Sequence, residues 1–244
     1  MPFVDMRSTR SAQHGAGPRS RLRRRAPIWR RGPLAYRIAK AALHRPLQLA
    51  YRVDVEGLDN VPDGEGVILA ANHRSFMDSI FLALASPEPV SFVAKAEYFD
   101  HPVTRWLFNS TGQIPLRRGS PASTRQALAA AADVLTEGGT LGIYPEGTRS
   151  RDGKLHRGKL GPARLAAATG AAIVPVGLVG TDEVQLPDER LPHLFRPVSV
   201  RFGTARRLAA RHGRCPTSRL RDTTNELMQD IAALSGAEYV DSFA

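Results

Sequence analysis

The chain has 244 residues, of which 42% are hydrophobic, and this is enough to bury the core of one enzyme-sized domain. A single cysteine excludes an intrachain disulfide, and the sequence contains no internal repeat that would indicate a solenoid. No uninterrupted apolar run reaches about 20 residues, so no transmembrane helix is predicted. The formal net charge of +11 favours an anionic partner, either a nucleic acid or a membrane surface.

The basic excess lies at the beginning of the chain. Residues 1–52 contain thirteen Lys and Arg and one acid, whereas residues 53–244 contain 21 basic and 22 acidic residues. A basic nucleic-acid-binding protein is a candidate that explains only the first of these regions. The second is near neutral and has no zinc-finger spacing or RNA-binding aromatic motif. The sequence therefore predicts no nucleic-acid partner.

The first 51 residues divide into two predicted segments. Residues 1–27 carry many arginines and few apolar side chains, which predicts a disordered arm. Residues 28–51 mix apolar and basic side chains, so we expect amphipathic helices that lie on an anionic membrane surface. The alternative is an ordinary helix that packs on the domain with a solvated basic face. Pro33 and Pro46 predict two short helices there instead of one.

Residues 52–244 are predicted to form one α/β domain. Apolar, strand-like runs alternate along this region with helical stretches. Alternation of this kind favours a central, largely parallel sheet flanked by helices, with a ligand cleft beyond the carboxyl ends of the strands. The predicted strands are 52–56, 66–71, 90–94, 112–116, 140–144, 172–179 and 197–202, and the predicted helices are 76–86, 121–137, 159–169 and 216–234.

The first chemically informative string is Asn-His-Arg-Ser-Phe-Met-Asp, which follows the strand predicted at 66–71. On a continuous helix, the side chains of His73 and Asp78 would point about 140° apart. They can meet only if His73 precedes the helix and Asp78 lies in its first turn. The carboxylate would then accept a hydrogen bond from one ring nitrogen and leave the other as a base. The alternative is a helix-capping or core histidine.

The chain offers no convincing nucleophile of its own. It has no Gly-x-Ser-x-Gly elbow, and Ser75 lies outside that context. Cys215, the only cysteine, precedes a proline and has only His212 nearby. We therefore expect the nucleophile to be a substrate hydroxyl that loses its proton to His73 as it attacks an activated carbonyl.

Two further strings combine glycine with residues suited to phosphate. In residues 144–149, Glu146 is followed by a flexible glycine at 147, a hydroxyl donor at Thr148 and the planar fork of Arg149. Residues 112–119 end in paired arginines before a glycine. The alternative for both is a turn with solvated charges. A fourth string, residues 173–177, is β-branched and predicts a core strand or pocket wall.

These four strings, in this order and spacing, resemble the blocks of the glycerolipid acyltransferase family typified by 1-acylglycerol-3-phosphate acyltransferase. The resemblance covers about residues 50–205, and Tyr144 departs from it because many members carry phenylalanine there. It implies that His73 is the general base and that Asp78 orients it and stabilises the imidazolium. It further implies an acceptor site for glycerol phosphate, formed by Arg118, Glu146, Gly147, Thr148 and Arg149, with Lys95 as an additional phosphate contact.

The resemblance also implies a reaction. An acyl group passes from an acyl thioester, either acyl-CoA or acylated acyl carrier protein, to 1-acylglycerol-3-phosphate and gives phosphatidate, with no metal or redox cofactor. The alternative acceptors are glycerol 3-phosphate and another lysolipid. A non-catalytic lipid-binding protein with the same fold is the candidate from a different class. We expect a peripheral membrane protein on the cytoplasmic face, since a single cysteine fits that compartment.

Overall fold

The computed structural model describes residues 34–117, 119–186, 188–189, 191–208 and 215–244. A seven-stranded sheet forms its centre, and two hydrophobic cores lie on the two faces of that sheet. The strands are β1 (Val53–Glu56), β2 (Val67–Ala71), β3 (Val90–Lys95), β4 (Ile114–Leu116), β5 (Thr140–Ile143), β6 (Leu155–His156), β7 (Ala172–Val179), β8 (Val198–Phe202) and β9 (Tyr239–Val240). The helices are α1 (Leu34–Tyr51), α2 (Met77–Ala85), α3 (Pro102–Ser110), α4 (Pro121–Thr136), α5 (Gly161–Thr169), α6 (Thr181–Val184) and α7 (Thr217–Ser235), and short 3-10 turns occupy Leu58–Asn60 and Ala96–Phe99.

The sheet is largely parallel, as the alternating pattern predicts. Its strand order is β1-β8-β7-β2-β5-β3-β4, and every neighbouring pair is parallel except β7 and β8. The carboxyl ends of β2, β3, β4, β5 and β7 therefore meet at one edge of the sheet, which we call the carboxyl edge. Strands β1 and β8 run the other way and end at the opposite edge. A small parallel pair, β6 with β9, lies outside this sheet.

Strand β2 shows why a continuous apolar run forms a central strand here. All five of its residues are buried, because successive side chains point to opposite faces and both faces are covered. Ile68 and Ala70 belong to the core beneath α4, α5 and α7, whereas Leu69 and its alternate neighbours belong to the core beneath α2. The strand consequently has no exposed face, and its carboxyl end is a rigid position from which to display a side chain.

Helix α1 corrects one prediction. It runs without a break from Leu34 to Tyr51 and includes Pro46, so the expectation of two short helices is wrong for this stretch. A proline inside a helix costs about 3 kcal/mol, because it removes a hydrogen bond and crowds the preceding turn. Packing opposes that cost, since Tyr51 is buried and Leu47 packs against the same core. The predicted arm 1–27 and the beginning of segment 28–51 lie outside the described residues.

Candidate active site

His73 and Asp78 meet at the carboxyl edge, between β2 and α2. Nδ1 of His73 lies 2.8 Å from Oδ2 of Asp78. His73 precedes the helix and Asp78 is its second residue, so the placement that the five-residue spacing predicts is confirmed. An ionised carboxylate only accepts hydrogen bonds, which places the proton on Nδ1 and leaves Nε2 as the basic nitrogen. Within the described residues, Nε2 has no protein hydrogen-bond partner, and the side chain is 18% exposed.

Asp78 is held by the backbone that surrounds it. The side chain is fully buried, and its Oδ2 also accepts hydrogen bonds from the backbone N–H groups of Arg74 and Ser75, at 2.7 and 2.8 Å. These donors belong to the turn that begins α2, so the carboxylate lies at the positive end of the helix. The arrangement fixes Oδ2, the oxygen that contacts His73, whereas the buried Oδ1 has no hydrogen-bond partner among the described residues.

The imidazole of His73 stacks on Tyr144. The two ring centres are 3.8 Å apart and the planes differ by 9°. Tyr144 directly follows β5, the neighbour of β2, and its hydroxyl shares a 2.8 Å hydrogen bond with Ser79 Oγ on α2. Burial raises the pKa of Tyr144 well above its ordinary value, so the phenol stays neutral. The tyrosine that departs from the family pattern therefore adds a hydrogen bond to α2 that phenylalanine would not make.

The loop that carries His73 is tied to the sheet at its two sides. Asn72 is buried and makes two 2.8 Å hydrogen bonds with the backbone of Leu178 on β7, through its Nδ2 and its Oδ1. On the other side, the backbone N–H of Ser150 donates to the carbonyl of His73 at 2.7 Å. These bonds connect the loop to β7 on one side and to the loop that follows β5 on the other. They restrict the backbone of His73 before any substrate binds.

Glu146 lies behind His73 instead of facing solvent. It is 2% exposed, and its two oxygens accept hydrogen bonds from backbone N–H groups, Oε1 from His73 at 3.3 Å and Oε2 from His156 at 3.0 Å. Burial raises its pKa from 4.5 to about 7, against the lowering effect of those two hydrogen bonds. The carboxylate thus connects the histidine loop to β6.

The loop after Glu146 carries polar side chains that have no hydrogen bond or ion pair within the described residues. Gly147 has φ of +75°, a left-handed conformation suited to glycine, and a Cβ there would lie 2.8 Å from Nζ of Lys159. Thr148 and Arg149 are half-buried, and within the described residues their side chains make no hydrogen bond or ion pair. Lys159 and Arg149 therefore provide two cations at the loop whose Ser150 N–H donates to the carbonyl of His73.

The two remaining phosphate candidates are less closely placed. Lys95 ends β3 and is exposed at the carboxyl edge. Strand β5 separates β3 from β2, so the two strand axes are roughly 10 Å apart at neighbouring-strand spacing. Arg118 lies outside the described residues, although β4 ends two residues before it at the same edge. The roles of both residues stay predictions.

Ser75 and Cys215, the two side chains considered as nucleophiles, are not positioned to attack a substrate. Ser75 is fully buried, and its Oγ accepts a hydrogen bond from the backbone N–H of Met77 at 3.2 Å, which helps to begin α2. Cys215 packs against a hydrophobic core. His212, its neighbour in sequence, lies outside the described residues.

Several contacts of the site could not be predicted from the sequence. The motif strings include Asn72, Tyr144 and Glu146, but nothing local shows that the first contacts β7, that the second stacks on a histidine, or that the third is buried. Ser79 and Lys159 stand outside the strings altogether. The only signal for Lys159 is its position as the first residue of the helix predicted at 159–169, and α5 begins two residues later.

Other features of the described region lie away from this site or add no chemistry to it. An open groove of about 750 Å³ lies between α1 and the loop that leads into β3, at the opposite edge of the sheet from His73. The described residues contain no group of three or more His, Cys, Asp or Glu that could hold a metal ion. None of the described helices combines the length and the apolar character that crossing a membrane requires.

Sequence comparisons identify relatives of this chain. The family model described as Acyltransferase matches residues 52–179. The 1-acyl-sn-glycerol-3-phosphate acyltransferase LPAT1 of Arabidopsis thaliana is 36% identical over 135 residues, which cover 55% of this chain and 38% of that protein. The lyso-ornithine lipid O-acyltransferase of Pseudomonas aeruginosa is 32% identical over 186 residues, 72% of this chain and 69% of that protein.

A solved structure shares the fold. The 1-acyl-sn-glycerophosphate (LPA) acyltransferase PlsC of Thermotoga maritima superposes with a TM-score of 0.62 at 28% identity, over 82% of this chain and 78% of that one. Its similarity extends beyond the region of the family model. The family match spans about half of the chain and includes the His73–Asp78 pair and the loop of Arg149. This chain therefore belongs to the acyltransferase family.

Proposed function

We propose that this protein transfers a fatty acyl group from an acyl thioester to the free hydroxyl of 1-acylglycerol-3-phosphate and forms phosphatidate. One observation carries the proposal: His73 donates from Nδ1 to a buried carboxylate and has no protein partner on Nε2 within the described residues. A histidine held in this way is a general base without a nucleophile of its own. The names of several relatives support the choice of acceptor.

The reaction follows from that arrangement. Nε2 of His73 takes the proton of the acceptor hydroxyl as its oxygen forms a bond to the thioester carbonyl carbon. The tetrahedral intermediate then expels the thiolate, which receives the proton from the imidazolium. Asp78 stabilises the imidazolium while it exists, and stacking on Tyr144 keeps the ring oriented. No covalent acyl-enzyme is required, because the acceptor attacks directly.

The acceptor phosphate binds to the cations of the Glu146–Arg149 loop. Arg149 offers a planar pair of donors that can engage two phosphate oxygens, and Lys159 adds a second positive charge over Gly147. Lys95 and Arg118 are further contacts that the family resemblance implies. The left-handed glycine has no side chain, so the phosphate can approach the loop backbone closely.

Glu146 acts as a positioning residue in this proposal, not as a ligand of the phosphate. A carboxylate repels a phosphate, and both oxygens of Glu146 already accept backbone hydrogen bonds. If it positions the His73 loop, Glu146→Gln lowers kcat and leaves the KM for the phosphorylated acceptor nearly unchanged. A large rise in that KM with an unchanged kcat would instead assign Glu146 to the acceptor.

A second acceptor has a specific observation in its favour. The lyso-ornithine lipid O-acyltransferase matches over a larger share of both chains than the Arabidopsis protein does. A lyso-ornithine lipid has a free hydroxyl but no glycerol phosphate, and its ornithine carboxylate is also an anion that Arg149 can bind. Direct comparison of the two acceptors in one assay therefore separates them.

The compartment and the donor are part of the same proposal. A lipid acceptor and a basic, acid-poor helix α1 support a peripheral position on a membrane, and we place the protein on the cytoplasmic face. The donor is acyl-CoA or acylated acyl carrier protein, since both present the same thioester to the site.

The test is an assay of thiol release by the purified protein with anionic lipid vesicles. Palmitoyl-CoA and palmitoyl-acyl carrier protein are compared as donors, each with 1-acylglycerol-3-phosphate, glycerol 3-phosphate, a lyso-ornithine lipid or no acceptor. We expect thiol release that depends on 1-acylglycerol-3-phosphate and is abolished in a folded His73→Ala variant. Near-normal turnover in that variant would remove His73 as the base, and release with the lyso-ornithine lipid alone would select the second acceptor.

A further inference from the structure

Helix α3 presents an apolar face that packs on nothing in the described chain. None of its nine residues is buried. Val103 and Trp106 are 66% and 65% exposed, and Leu107 is exposed beside them. These positions follow the i, i+3, i+4 spacing of one helical face, so three large apolar side chains form a continuous stripe in solvent. An exposed stripe of this kind indicates an interaction surface.

A row of aromatic rings connects α3 to the candidate active site. The ring of Phe108 on α3 stacks on Tyr98 at 5.2 Å, and Tyr98 makes an edge contact with Phe76 at 6.3 Å. Phe76 lies between His73 and Asp78 in sequence and is itself 45% exposed. Phe108 lies roughly 145° around the helix from the stripe. The aromatic row therefore connects the packed side of α3 to the loop that carries the candidate base and leaves the stripe facing outward.

The neighbouring helix determines which partner fits. Helix α1 contacts α3, and Leu34 and Ile38 of α1 are also large exposed apolar side chains. Residues 34–52 contain four Lys and Arg and no acid, and Arg37 and Arg45 are exposed. Apolar side chains beside unneutralised cations complement an anionic bilayer. The apolar side chains contact the acyl region, and the cations contact the anionic headgroups. Trp106 is of the type that prefers the boundary between those regions.

We propose that α3 inserts its Val103–Trp106–Leu107 face into the interface of an anionic lipid bilayer, as a membrane contact additional to the N-terminal segment. The aromatic row holds the other side of α3 next to the His73 loop, so a lysolipid headgroup can reach Nε2 while its acyl chain stays in the bilayer. This inference rests on the proposed function for the identity of that lipid. The contact itself requires only the exposed surface.

The first experiment uses the tryptophan as a reporter. The chain has two tryptophans, so Trp29→Phe leaves Trp106 as the single emitter. We expect its emission to shift to the blue with phosphatidylglycerol vesicles, to be quenched by brominated lipid, and to change little with phosphatidylcholine vesicles. Co-sedimentation with anionic vesicles without a shift or quenching of Trp106 would overturn the proposal, because the membrane contact would then exclude α3.

The second experiment removes the stripe. Val103→Ser/Leu107→Ser is compared with Leu58→Ser, a matched control because Leu58 is 39% exposed and follows β1 at the opposite edge of the sheet. Both positions are exposed, so circular dichroism should show native structure. We expect vesicle partitioning to fall about tenfold in the double variant and to stay unchanged in the control. An equal effect in both variants would overturn the proposal.

Three outcomes separate this inference from the alternatives. A blue shift of Trp106 that appears without vesicles and rises with protein concentration would assign the stripe to a second copy of the chain. If the protein turns over detergent-dispersed acceptor but the emission of Trp106 does not change with vesicles, the proposed function stands and the α3 contact is rejected. Vesicle-dependent Trp106 signals without turnover of any acceptor would do the reverse.

Discussion

Replacement of Glu146 by glutamine isolates the energetic cost of the buried carboxyl behind His73. The pKa of Glu146 is raised from 4.5 to about 7, chiefly by burial. Each pKa unit corresponds to about 1.4 kcal/mol, so ionisation of this side chain costs about 3 kcal/mol of folding free energy at high pH. Glutamine has the same shape but no proton to lose. It also leaves one backbone N–H without an acceptor, which destabilises the variant by roughly 1–3 kcal/mol at every pH.

The sign of the pH dependence follows from proton binding. Between pH 4.5 and 7, the folded protein holds the Glu146 proton more tightly than the unfolded chain does. The free energy of unfolding of the wild-type protein therefore falls as pH rises through this window, and the full cost is present above pH 7. The variant lacks this contribution, so its stability relative to wild type should improve by about 3 kcal/mol between low and high pH.

Urea denaturation followed by circular dichroism at a series of pH values measures this difference. Groups that do not interact with Glu146 contribute equally to both proteins and cancel in the comparison. Glu137→Gln, at an exposed position after α4, provides a matched control for the change of a carboxylate to an amide. Parallel stability curves for wild type and Glu146→Gln would refute the reasoning, because the carboxyl would then ionise as easily in the folded protein as in the unfolded chain.

Three further substitutions test the site. Asp78→Asn removes the negative charge that stabilises the imidazolium of His73, so kcat should fall by roughly 10³- to 10⁴-fold in steady-state assays; a loss under tenfold would contradict that role. Tyr144→Phe keeps the stacking but loses the hydrogen bond to α2, so we expect about 1 kcal/mol less stability in urea denaturation with kcat within about threefold of wild type. Arg149→Gln should raise the KM for 1-acylglycerol-3-phosphate by roughly 10- to 100-fold, whereas Arg151→Gln, at an exposed neighbouring position, should not; equal effects would argue against a phosphate contact.

The local patterns of the sequence determined the elements and the candidate base. Apolar runs placed all seven strands of the main sheet within about two residues of their observed bounds. The pattern is strongest in β2 and β7, because burial on both faces requires apolar side chains throughout. The offset between His73 and Asp78 was informative for a related reason. A separation of five residues is governed by the geometry of one turn, so it predicted that His73 precedes the helix.

Contacts between distant segments were decided only by the tertiary structure. Tyr144 stacks on His73, and Glu146 accepts a hydrogen bond from the backbone of His73, because β5 lies beside β2 in the sheet. The sequence of either strand alone does not determine that strand order. Helix α1 continues through Pro46 because packing of its carboxyl-terminal end opposes a local preference. The exposed stripe on α3 belongs to a helix that the pattern did not predict at all. In each case the determining interaction joins residues far apart in sequence, and its energy depends on which elements the fold places together.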